Sequence, residues 1–166
     1  MPTPGDTALH RLAARVGRHL REGGLQVVTA ESCTGGFLAK CLTDLSGSSD
    51  YFDHGWVTYS DAAKQELLGV SGSLLGRHGA VSEAAALAMA RGALRAADAT
   101  IAVAVTGIAG PAGATRGKPV GTVWIAWARR QGGRVRATAR HHRFAGDRDA
   151  VRRRTVAAAL SGLLRA

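Results

Sequence analysis

Apolar positions along the chain follow two alternating periods, one helical and one strand-like. Leu9, Leu12, Ala13, Val16 and Leu20 mark one face of an amphipathic helix that stops near Gly23-Gly24, after a short flexible leader over residues 1–7. Residues 25–30 have strand length and β-branched content, and Phe37, Leu38, Cys41 and Leu42 resume helical spacing beyond Gly35-Gly36. Residues 54–60 read as a second strand. Ser60 is then placed to cap a helix carrying Ala63, Lys64, Leu67 and Leu68, which Gly69 ends. Ser82-Glu83 opens an alanine-rich helix to about Ala97, and the unbroken apolar run 99–105 predicts a strand covered on both faces. A Gly/Pro-rich loop from Thr106 to Pro119 leads to a strand over 120–128, a more polar outer strand over 135–144 and a closing helix over 148–164. Strands alternating with helices predict an α/β fold: a single three-layer domain with a mostly parallel or mixed sheet flanked by helices. A chain of 166 residues is long enough for one substantial core and short for two.

Charge adds a constraint on partners. The formal net charge of +10 favours anionic ligands, either nucleic acid or a phosphorylated small molecule, and arginines crowd the last third of the chain. A solvated basic face accounts for the same pattern. No segment reaches the roughly 18 consecutive apolar residues of a membrane span, and residues 1–6 lack a signal peptide's basic and apolar regions, so a soluble cytoplasmic protein is expected. Cys33 and Cys41 are eight residues apart; on one helix they would be separated by about 12 Å, too far for a disulfide. Cysteine and histidine spacings give no metal site.

The run Val28-Thr29-Ala30-Glu31-Ser32-Cys33-Thr34-Gly35-Gly36 sets a hydroxyl between a strand and a glycine-opened helix, a turn that can present a nucleophile. Ser32 and Thr34 equally suit a plain helix cap. Ligands of such sheets gather beyond the carboxyl ends of the strands, where the loops 31–36, 59–64 and 106–118 are expected to converge. A nucleophilic serine needs a base, and the six histidines are scattered at positions that read as structural. Among the three lysines, Lys40 falls inside a helix, Lys118 in the Gly/Pro loop, and Lys64 follows the Tyr59-Ser60 strand end. A lysine serves as a base only when burial or a neighbouring cation lowers its proton affinity. The loop Thr106-Gly107-Ile108-Ala109-Gly110-Pro111 matches neither the dinucleotide nor the Walker fingerprint.

Five motifs in order resemble the CinA C-terminal domain family: Thr29 to Gly36, Tyr59-Ser60-Asp61-Ala62-Ala63-Lys64, Gly79-Ala80-Val81-Ser82-Glu83, Thr106 to Pro111, and Lys118-Pro119-Val120-Gly121-Thr122-Val123. They cover roughly residues 8–165 and look like the form without a larger N-terminal domain. The resemblance implies hydrolysis of nicotinamide mononucleotide (NMN) to nicotinate mononucleotide and ammonia by a Ser/Lys mechanism; no cofactor is expected. Carried across, Ser32 is the nucleophile, Lys64 the base and Tyr59 a hydrogen-bonding neighbour, while Arg148 is the candidate for the substrate phosphate. Backbone N–H groups at Thr34, Gly35 and Gly36, or at Gly107, are candidates for the oxyanion. Thr106 is placed to meet the carboxamide or ribose, and Ser49 is a further candidate site serine. Two positions depart from the family pattern: Asp61 replaces an asparagine, and residues 112–117 lack the usual glycine run and acidic residue. The competing classes are an amidohydrolase for another amide and a non-enzymatic basic module binding nucleic acid or a protein. Nucleic acid is disfavoured, since only 5% of residues are aromatic and no stacking platform is visible. A homo-oligomer is expected, with the alanine-rich helix a candidate for the contact.

Overall fold

The computed structural model describes residues 2–165. Its elements run α1 (Asp6–Glu22), β1 (Val27–Glu31), α2 (Phe37–Thr43), β2 (Phe52–Val57), α3 (Asp61–Leu68), α4 (Gly72–His78), α5 (Glu83–Ala96), β3 (Ile101–Gly107), β4 (Thr122–Gln131), β5 (Arg134–Arg143) and α6 (Arg148–Leu163), with a 3-10 turn at Ser48–Asp50. The five strands form one sheet in the order β2-β1-β3-β4-β5. β1 pairs parallel with β2 and β3, while β4 and β5 complete the sheet antiparallel. The register aligns Glu31 and Val57, the last residues of β1 and β2, with Val105, two residues before β3 ends.

Alternation along the buried strands divides the core. Ile101, Val103 and Val105 of β3 join Val123, Ile125 and Trp127 of β4 under α1, α2 and α6. On the opposite face Ala102, Ala104, Ala126 and Ala128 meet Ala85, Ala86, Met89, Ala90 and Ala93 of α5. Small side chains on both partners let α5 lie close to the sheet, which explains its composition. That buried face is turned to the chain's own sheet. On the first face Leu9, Val16 and Leu20 of α1 are fully buried, each worth about 1.5–3 kcal/mol of transfer free energy. Close approach is also enforced at Gly162 of α6, where an added Cβ would stand 2.1 Å from the Trp127 ring, whose Nε1 donates to the Ala159 carbonyl.

Several expectations shift. α1 begins at Asp6, inside the expected leader, with Gly5 as its cap. Cys33 lies in the turn before α2, so the two cysteines do not share a helix; both are free and buried. His78 ends α4, a helix the sequence pattern did not reveal because Gly72 and Gly76 dilute its signal. β5 is an outer strand as expected, and β2 is the other edge. Among the described residues no helix is long and apolar enough to cross a membrane.

Candidate active site

The turn after β1 is organised by an acid. Glu31, the last residue of β1, is almost wholly buried, and its carboxylate accepts hydrogen bonds from the backbone N–H groups of Gly36 (3.1 Å), Leu38 (3.0 Å) and Ala39 (2.8 Å). These are the orphan donors of the α2 start, and a carboxylate there gains from both charge-assisted bonding and the helix dipole. The Ser32 side chain is thereby relieved of capping. Its backbone N–H donates to Val105, its carbonyl accepts from Gly35, and its hydroxyl turns toward Lys64.

Lys64 reaches that hydroxyl from the second turn. β2 stops at Val57, and residues 58–60 leave the ladder before Ser60 caps α3 by accepting from the Ala63 N–H. Lys64 stands one turn into α3 and is only 1% exposed. Its Nζ lies 3.4 Å from Ser32 Oγ and donates to the carbonyls of Thr58 (2.9 Å), Tyr59 (3.2 Å) and Ser60 (3.4 Å). Burial drives its proton affinity below the ordinary lysine range; Asp61, 4.0 Å away, pulls it back. Burial also pushes the Cys33 thiol up to about 12, which leaves it protonated and a poor nucleophile.

The far wall comes from β3 and its loop. Thr106 is buried and donates its hydroxyl proton to the Ala80 carbonyl (2.8 Å), fastening the segment before α5 to the end of β3. Toward a ligand it can therefore offer only acceptor lone pairs. Gly107 has no room for a side chain, since a Cβ would lie 2.7 Å from Val123 Cγ2 and 2.8 Å from the Thr122 carbonyl oxygen. Across the mouth Arg148, the first residue of α6, donates to the Gly110 carbonyl (2.9 Å) and to the hydroxyl of the exposed Tyr59 (3.1 Å).

A pocket of about 250 Å³ results, to which Ser32, Tyr59, Lys64, Thr106, Gly107 and Arg148 all contribute, so the three expected loops do converge. Gly35 and Gly36 instead line a separate depression with Phe37, Lys40 and Arg152. Their N–H groups are occupied by the Ser32 carbonyl and by Glu31, which removes them as oxyanion donors. Thr34 is buried, with its carbonyl accepting from Arg152. Ser49 is exposed in the 3-10 turn before β2, at the amino end of that strand, and so lies across the sheet from the pocket. Sequence reasoning missed Glu31; the signal was a lone carboxylate closing an apolar strand. Among the described residues no cluster of three or more His, Cys, Asp or Glu could hold a metal ion.

Together the sheet and its pocket define an α/β protein that holds a buried serine–lysine pair beyond the ends of its parallel strands. The chain belongs to the CinA C-terminal domain family, whose model matches residues 9–166. It is 51% identical over 158 residues to the nicotinamide-nucleotide amidohydrolase PncC of Escherichia coli strain K12, covering 95% of this chain and 94% of that one. To the protein of the same name from Pseudomonas putida it is 54% identical over 153 residues, 92% of this chain and 93% of that one. The crystal structure of the competence/damage inducible protein CihA from Agrobacterium tumefaciens superposes with a TM-score of 0.90 at 44% identity, covering 99% of this chain and 98% of that one.

Proposed function

We propose that this chain is a cytoplasmic amidohydrolase that converts NMN and water to nicotinate mononucleotide and ammonia, with Ser32 as nucleophile and Lys64 as base. The observation that carries the mechanism is the buried Lys64 Nζ at 3.4 Å from Ser32 Oγ; the activity for which the relatives are named supports the substrate. In the neutral amine two N–H bonds remain on the Thr58 and Tyr59 carbonyls and the lone pair faces the serine. Lys64 takes the hydroxyl proton as Oγ bonds to the carboxamide carbon, and then gives a proton to the departing nitrogen, which leaves as ammonia. Water, deprotonated by Lys64, cleaves the acyl-serine and restores the pair. Cys33, the residue after the nucleophile, lines the pocket and its N–H donates to no backbone carbonyl among the described residues, which makes that N–H the candidate oxyanion donor. Arg148 receives the phosphate: its two recorded contacts leave further guanidinium donors, and it sits at the positive end of the 16-residue α6.

Ammonia release from NMN tests this reading. Ser32→Ala and Lys64→Ala should each lower kcat by about 10³-fold or more while the fold, followed by circular dichroism, is retained. Wild-type turnover in a folded Ser32→Ala protein would remove the serine from the mechanism.

A further inference from the structure

The pocket carries one negative charge whose role the serine–lysine chemistry does not require. Asp61 is the sole acidic residue among those lining it, facing Lys64 and Arg148 as the sole basic ones. Its carboxylate, 59% exposed, makes no hydrogen bond among the described residues; its one recorded partner is Lys64 Nζ at 4.0 Å, beyond hydrogen-bond distance. Lys64 Nζ is in turn 3.4 Å from Ser32 Oγ, so the carboxylate stands within two short steps of the hydroxyl that must touch the scissile carbon. Glu31, the other acid of this region, is buried behind the turn with its oxygens occupied by three N–H groups.

Resting on the amidase reading, we infer that Asp61 is a specificity-determining residue that selects the positively charged pyridinium ring of the substrate over a neutral ring carrying the same amide. The ring is bonded directly to the carboxamide that Ser32 attacks, so an amide poised on Ser32 Oγ brings the ring's charge into the neighbourhood of the carboxylate. A chain of net charge +10, with Lys64 and Arg148 at the same pocket, otherwise repels a cation. Asp61 and Arg148 together suit a ligand that is cationic at one end and anionic at the other. The alternative role, an acid in the first turn of α3 favoured by the helix dipole, affects stability and makes no distinction between ligands.

The probes are NMN and its reduced form, whose dihydropyridine ring is neutral and whose ribose phosphate and amide are unchanged. Dissociation constants are measured by calorimetry at low salt in the Ser32→Ala background, with and without Asp61→Asn. Through a partly exposed, solvent-screened site, Asp61→Asn should weaken NMN by roughly threefold to tenfold and leave the reduced form unchanged. An equal change for both ligands, no change for either, or failure of the Ser32→Ala protein to bind NMN overturns the inference. Ammonia release by the wild-type protein is followed alongside. No release with the ring discrimination intact overturns the amidase reading and leaves recognition of ring charge standing.

Discussion

The two strand-to-helix turns that border the pocket start their helices by different means. After β2 the solution is local: the Ser60 hydroxyl accepts the Ala63 N–H, and the preceding carbonyls are left to hold Lys64. After β1 the solution is remote in sequence, with Glu31 reaching N–H groups five to eight residues ahead. A serine appears in both turns; in one it is a structural cap, and in the other a carboxylate has taken the capping duty and left the hydroxyl facing an amine. What separates the two serines is which group satisfies the helix start.

Removing each cap should break this contrast unequally. Glu31→Ala strands three backbone donors, one of them fully buried, and should cost about 3–5 kcal/mol in urea unfolding. It should also lower turnover, because the freed N–H groups then compete for the Ser32 hydroxyl. Ser60→Ala should cost about 1 kcal/mol, as an ordinary lost cap does. Equal losses would show that the acid does no more than a local hydroxyl.

The smallest expected effect concerns protonation. Burial depresses the folded-state proton affinity of Lys64, so turnover should rise as pH climbs through a value below the ordinary lysine range. Asp61 opposes that shift, so Asp61→Asn should move the rise in kcat/KM to lower pH; a limb that stays put or moves upward would detach Asp61 from the base. The linkage to folding has a definite sign. Between the depressed value and the usual one the unfolded chain binds the proton more strongly, so this group's contribution to stability improves as pH rises across that window.

Local grammar decided what was legible in the sequence. α3 and α5 were readable because Ser60 and Ser82 stand at their starts as side-chain caps, and Gly69 ends α3 in the left-handed region. The family motifs placed Ser32 and Lys64 on neighbouring turns, and the fold brings them to one pocket. Glu31 escaped notice because a cap is sought beside the helix, not at the end of the preceding strand. Contact between Arg148 and Tyr59 joins residues 89 apart and depends on how α6 returns across the sheet. Ser49 was misplaced because a polar Gly/Ser turn has the same composition at either end of a strand, and only topology separates the end that carries the pocket from the end that does not.

The bond from Thr106 to the Ala80 carbonyl has a consequence for how the walls of the pocket are held together. It fixes the distance between the wall formed by Ala80 and Val81 and the wall formed by Gly107 and Ile108, yet it makes no contact with the serine–lysine pair. The Thr106 anchor thus joins two walls of the pocket through a bond that involves neither the Ser32 hydroxyl nor the Lys64 amine. Thr106→Val, which removes that hydroxyl, should therefore loosen the hold between the two walls while the contact between Lys64 Nζ and Ser32 Oγ stays in place.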